Sequence, residues 1–145
     1  MAGSNVQLDS NKDEVLRQVE KAIKKAARMV GGSVSGHAAE ACPVDTGLLK
    51  NSITFAIGGE STAISDYQSD TKDKNGEYKT GHYDGSAESD SDGEVTVYVG
   101  TNVQYAPYQE LGTAKMDARP FLRPAFENNQ REIEQIIEAC FKELN

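Results

Sequence analysis

The chain has 145 residues, enough for one domain with a modest core. Its formal net charge of −8 argues against a nucleic-acid-binding surface, because neutralising phosphates needs clustered Lys and Arg. Its two cysteines, Cys42 and Cys140, make neither a metal-ligand pair nor a disulfide framework and are expected to be reduced and packed in the core.

Residues 1–11 are polar and aperiodic and are expected to form an N-terminal arm, with residues 12–145 as a single domain. No basic leader followed by an apolar core is present, and no apolar stretch reaches the length of a bilayer span, so no membrane association is expected. From Lys12 on, Val15, Val19, Ile23, Ala26 and Val30 recur at steps of three and four, the spacing of one helical face. Gly31, Gly32 and Gly36 each weaken a helix interior by about 1 kcal/mol relative to Ala, which predicts a long helix with a weak or kinked middle. Pro43 stops it, since the residue before a proline is pushed out of the helical region.

In the segment CPVDTGLLKNSITFAI, residues 42–57, Asp45, Thr46 and Gly47 carry turn chemistry: the Asp side chain can accept backbone N–H bonds and Gly tolerates positive φ. Ile53, Phe55 and Ile57 then alternate with Thr54 and Ala56, as in a half-buried strand. Residues 58–93 hold six Asp, three Glu and three Lys, so most of the net negative charge lies there. A segment so poor in apolar residues is expected to be a protruding, mobile excursion. An extended hairpin with a type I′ turn at Asn75–Gly76, flanked by Tyr67, Tyr78 and Tyr83, is the less favoured reading.

Val97, Tyr98 and Val99 read as a second strand ended by Gly100. Tyr105, Tyr108 and Leu111 follow at intervals of three on one side of a short helix, with Pro107 in its first turn and Gly112 as its stop. The loop AKMDAR leads to a closing helix that begins near Pro120 or Phe121. Its stripe is Leu122, Phe126, Ile133, Ile136, Ile137, Cys140, Phe141 and Leu144. The predicted architecture is α+β: a small antiparallel sheet packed against a long N-terminal helix and a C-terminal helix, with the acidic insertion between strands.

Catalytic chemistry finds little purchase. His37 and His82 lack zinc-ligand spacing. Asp90 to Gly93 look superficially like a calcium loop, but with Gly93 as its sixth position the twelfth would be Val99, which cannot supply a carboxylate. No glycine elbow or phosphate loop is present. No catalytic, cofactor-binding or metal residue is assigned, and no cofactor is expected. Glu110 and Arg119 suggest an ion pair, which at the surface contributes about 0–1 kcal/mol.

Three blocks, PVDTGLLKNSI at 43–53, YAPYQELGT at 105–113 and ARPFLRPAF at 118–126, together resemble the tail-component family of tailed bacteriophages and prophages over most of residues 12–144. The family pattern falls on Pro43, Val44, Asp45, Thr46 and Gly47, on Tyr105, Ala106, Glu110, Gly112 and Thr113, and on Arg119 and Pro120. Leu111 stands where an aromatic is common, and the acidic insert is a further departure. The resemblance implies a structural virion protein without enzymatic activity, located in the neck or at the tail top and made in the bacterial host cytoplasm. It also implies a homo-oligomeric ring, expected to be a hexamer, that joins or completes the tail at the head–tail interface. Stopper, tail-terminator or tail-tube proteins are the expected partners, and DNA passes through without sequence-specific binding.

On that reading Pro43, Asp45, Thr46, Gly47, Tyr105, Tyr108, Glu110, Gly112, Thr113, Arg119, Pro120 and Phe121 are structural-motif or subunit-interface positions. The stretch 97–126 acts as a rigid joint that aims the Thr113–Arg119 loop outward. The acidic excursion reaches neighbouring subunits or borders the conduit, where its negative field discourages DNA from sticking. The competing classes are a small acidic metal-binding or hydrolytic domain using His82, and an adaptor that forms no ring.

Overall fold

A computed structural model describes residues 2–91 and 93–144, with side chains from Lys12 onward. Helix α1 runs from Ala2 to Ala41, about 60 Å at 1.5 Å per residue. It begins at Ala2 instead of near Lys12, so the segment expected to be an arm extends the helix. Met1 lies outside the described residues. Ala22, Ala26, Ala27, Val34 and Ala38 are buried, whereas Val15 and Leu16 are exposed. The apolar stripe is therefore covered only in its second half. The helix continues through Gly31, Gly32 and Gly36. Gly31 serves as a seat: the Phe55 ring lies where a Cβ would stand, so what the sequence shows as a propensity defect is a close approach of strand to helix.

After the corner at residues 43–47 come α2 (Leu48–Ser52), β1 (Thr54–Ile57), β2 (Asp66–Lys72), β3 (Tyr78–His82), β4 (Val97–Gly100), α3 (Ala106–Leu111), α4 (Leu122–Glu127) and α5 (Gln130–Lys142). The fold is α+β. Two antiparallel pairs take the place of one continuous sheet, β1 with β4 and β2 with β3. In the first, Thr54 faces Gly100 and Ile57 faces Val97, and α1 packs against both strands. The core gathers Val34, Ala38 and Cys42 of α1 and its exit, Leu49 and Ile53 around α2, and Val103, Ala106, Phe121 and Ala125 from the segment after β4.

Within the acidic excursion, residues 66–82 form a hairpin, the less favoured of the two sequence readings. Its turn is also of another type. Gly76 has φ +80 and no non-glycine residue has positive φ among the described residues, whereas a type I′ turn needs positive φ at Asn75 as well. Gly76 N–H donates to Asp73 O at 3.0 Å, and the Asp73 carboxylate accepts from Asn75 and Glu77 N–H. This is a type I turn followed by a left-handed glycine. What holds so polar a hairpin to the body is its tyrosines. The Tyr67 ring lies over Gly81, directly across the ladder, and sits 5.3 Å from the Tyr83 ring. The Tyr83 hydroxyl donates to Ser52 O and the Tyr67 hydroxyl to Asn102 Oδ1. Scattered single tyrosines leave no periodic signal, which is why composition alone points to a loop.

His82 clips the hairpin base, with Nδ1 2.6 Å from Asp66 Oδ1 and Nε2 3.2 Å from Asp84 Oδ1. The hydrogen bond with Asp66, and then the Asp66 and Asp84 charges, hold the imidazole above its ordinary value of 6.5. A raised folded-state value means the clip is fully formed below 6.5 and is lost as pH rises through that raised value. Amide exchange in β2 and β3 should therefore quicken across that window. An NMR titration should show Asp66→Asn returning His82 toward 6.5; identical titrations of the two proteins would remove the clip.

The predicted closing helix is two helices. Asn128 and Asn129 interrupt it, because the Asn129 side chain donates to Ala125 O at 2.9 Å and takes up a carbonyl that a continuing helix would use. The break turns Phe126 out of the stripe and into solvent. Helix α5 then lies antiparallel on α1. Glu132 accepts from Ser33 Oγ at 2.9 Å and pairs with His37 at 2.7 Å, while Glu143 reaches Lys25 at 2.6 Å. His37 and Ser33 lower the Glu132 carboxyl below the ordinary glutamate value.

Candidate functional site

The first and second sequence blocks, far apart in the chain, line one groove of about 550 Å³. One wall is the corner Pro43–Gly47. Gly47 stands at φ 82, ψ −6 as the N-cap of α2, and a Cβ there would overlap the Asp70 carboxylate of β2. Thr46, and not Asp45, supplies the turn acceptor: its Oγ1 accepts from Leu48 N–H at 3.3 Å and its carbonyl from Asp70 N–H at 2.7 Å. Asp45 is exposed, with no side-chain hydrogen bond among the described residues. The corner thus joins α1 to α2 and also anchors a β2 bulge between Gln68 and Lys72. Ser69 spans that bulge by accepting from Lys79 N–H and donating to Thr71 O.

The opposite wall is α3 with the loop after it. Tyr105, Tyr108, Gln109, Thr113, Met116 and Arg119 all face the groove. Gly112, at φ 76 and ψ 175, ends α3, and a Cβ there would stand 2.8 Å from Ala118 N and 3.0 Å from Met116 O. Thr113 and Met116 exchange backbone bonds of 2.8 and 3.3 Å, so the loop beyond Gly112 is a closed turn. The spacing of Tyr105, Tyr108 and Leu111 does mark one side of α3, but that side points outward: Leu111 is 78% exposed and Tyr108 57%, while Ala106 is the buried residue.

Glu110 does not form the expected ion pair with Arg119 among the described residues. Its carboxylate instead accepts backbone N–H bonds from Phe121 at 2.7 Å, Leu122 at 3.1 Å and Arg123 at 2.8 Å. A helix leaves four N-terminal donors without partners. Glu110 takes three of those of α4, and Pro124, the next residue, has none to offer. Pro120 precedes this cap and is exposed, and Phe121 at the cap is fully buried. Arg119 N–H donates to Gln109 O at 2.7 Å, and Arg119 lines the groove.

Burial pushes the Cys42 thiol beneath the groove up to about 11 and raises the Tyr105 phenol, so both are neutral at ordinary pH and no thiolate nucleophile forms. The groove holds one carboxylate, Asp45, and one guanidinium, Arg119. The Gln109 side-chain carbonyl oxygen is buried with no hydrogen-bond partner among the described residues. Among those residues no group of three His, Cys, Asp or Glu is placed to hold a metal, and no helix is long and apolar enough to cross a membrane.

The corner wall of the groove and the α3 part of the opposite wall fall within a known family, while Thr113, Met116 and Arg119 lie beyond the match. Residues 7–112 match the family model described as "Bacteriophage HK97-gp10, putative tail-component". The chain belongs to this HK97-gp10-like family. The match runs from α1 to the end of α3 and so includes the Pro43–Gly47 corner and the Tyr105–Gly112 block. It stops short of the third sequence block, so the Arg119–Phe121 joint of this tail component lies beyond the matched range. No curated protein and no solved structure matches the chain.

Proposed function

We propose that this tail component is a structural virion protein of the phage neck or tail top. Its subunits close into a ring, taken as a hexamer, that joins or completes the tail around the DNA conduit and works with stopper, terminator or tail-tube proteins. No catalytic role is assigned. The observation that carries the reading is the groove itself. Tyr105, Tyr108 and Arg119 stand with the corner Val44 and Asp45 around a concavity that a single chain leaves unfilled, with Leu111 beside it on α3. Tyrosine and arginine are the residue types that dominate interface energetics, and the unpartnered Gln109 oxygen suits a donor brought by a neighbour.

Mass measurement by light scattering, on the chain alone and with tail-tube or stopper protein, tests this reading. A closed oligomer is expected; a monomer inert toward every neck partner, or a one-to-one complex, argues for another class. Tyr108→Ala and Leu111→Asp should each leave folding stability within about 0.5 kcal/mol of the parent, as surface changes do. Each should weaken assembly by roughly tenfold or more. Unchanged assembly in both would move the interface elsewhere.

A further inference from the structure

The ladder between β1 and β4 determines which backbone groups face outward. Gly58 N–H donates to Thr96 O at 2.9 Å, in register with the pairing of Thr54 and Gly100. Hydrogen-bonded pairs alternate in an antiparallel ladder, so Ala56 and Tyr98 bond to each other while Phe55, Ile57, Val97 and Val99 turn their N–H and C=O groups away. On β1 the outward carbonyls are taken, Phe55 O accepting from Ala63 N–H and Ile57 O from Glu60 N–H, both at 2.8 Å. On β4 the outward groups of Val97 and Val99 have no hydrogen-bond partner among the described residues. Beside this edge an apolar groove of about 180 Å³ runs between Val95 and Val97 of the strand side and Ile137 and Phe141 of α5, floored by Ala26 and Ala27. Natural edges are blunted by Lys, Pro or bulges. Residues 95–99 contain neither a charge nor a proline, and an isolated two-stranded sheet is marginal.

We propose that β3 of a second copy of this chain adds to the β4 edge as an extra strand. The outer edge of the donor strand is open at Thr80, while at the hairpin base His82 O already accepts from the Asn102 side chain at 2.9 Å. Tyr83 N–H donates to Ser65 O at 2.8 Å, in register with Asp66 and His82, so Thr80 faces outward, and its N–H and C=O have no partner among the described residues. Charge supports the match only at the strand itself: β3, Tyr78–His82, carries Lys79 and no acid, while Asp66, Asp70, Asp73 and Glu77 of the hairpin outnumber its three lysines; Glu20, Glu60, Asp90 and Glu94, against Lys24, surround the start of β4. Acceptor and donor edges differ, so the contact is head-to-tail, the kind that closes a ring. Pairing of β4 with β4 gives only a twofold dimer. The inference rests on the ring reading above and names one of its contacts.

The test uses the full chain as wild type, Val99→Pro and Thr80→Pro, with mass measurement and hydrogen exchange on peptides covering β4. Proline at Val99 or Thr80 removes an N–H that makes no ladder bond within the chain, so the fold has no bond to lose. Each variant should need a concentration roughly tenfold or more higher to assemble. In the wild type, the Val97 and Val99 amides should slow by a similar factor on assembly. The exchange measurement decides the matter even if a proline variant does not fold. Normal assembly with fast Val97 and Val99 exchange overturns the strand pairing and leaves the ring standing, and assembly that stops at a dimer also overturns it. A wild type that stays monomeric with every neck partner removes the ring and this contact with it.

Discussion

Phe121→Ala should destabilise the chain by about 3–5 kcal/mol, the cost of deleting a fully buried aromatic and leaving its cavity. Phe121 is 0% exposed and packs among Val34, Ala38, Leu49 and Ala106, so the ring is where α1, α2, α3 and α4 meet. It is also the cap of α4, and its N–H is fixed by Glu110 at 2.7 Å. That bond holds the backbone in place after truncation and resists collapse of the cavity, which keeps the cost toward the upper end. Chemical denaturation monitored by tyrosine fluorescence measures it. A loss under about 1 kcal/mol would mean that the joint does not depend on this side chain.

Gly112→Ala should be the second large loss, and of a different kind. At φ 76 and ψ 175 the residue occupies a region open almost only to glycine, where strain costs on the order of 1–3 kcal/mol. The added Cβ would press on Ala118 N and Met116 O, which are backbone and cannot swing aside. The turn from Thr113 to Met116 must then shift, and with it Arg119 at the groove. Gly112→Ala should therefore lower both stability and assembly, whereas Gly36→Ala, which meets nothing within 4 Å, should lower neither. Equal behaviour of the two variants would contradict the backbone geometry of the loop.

Features governed by local rules were legible in the sequence. Alternation found β1, the β-branched and aromatic run found β4, three-and-four spacing found α1, intervals of three found the side of α3 carrying Tyr105 and Tyr108, and Pro43 and Gly112 marked real stops. Failures came where distant residues decide. The hairpin was underrated because Tyr67 is held by Gly81 across the ladder and by Asn102 beyond β4. Gly31 read as a weakness because Phe55, which needs its bare Cα, lies on another element. Glu110 read as an ion-pair partner because capping rules look within one turn of a helix start, and this acid arrives from a different helix. At the site, both walls of the groove were named in advance, but their meeting was not, since no local signal reports it. The match over residues 7–112 supports the family and is silent on the loop that follows.

The cap on α4 bears on what a polyanion meets at this joint. A helix N-terminus with free N–H groups is a ready phosphate site. Here three of the four donors are committed to a carboxylate and the fourth position is a proline. A polyanion at this helix end would find its backbone N–H groups taken and a negative group in place, leaving only the side chains of Arg119 and Arg123 as donors. The same bonds that tie α3 to the start of α4 leave no backbone N–H at that end for an anion.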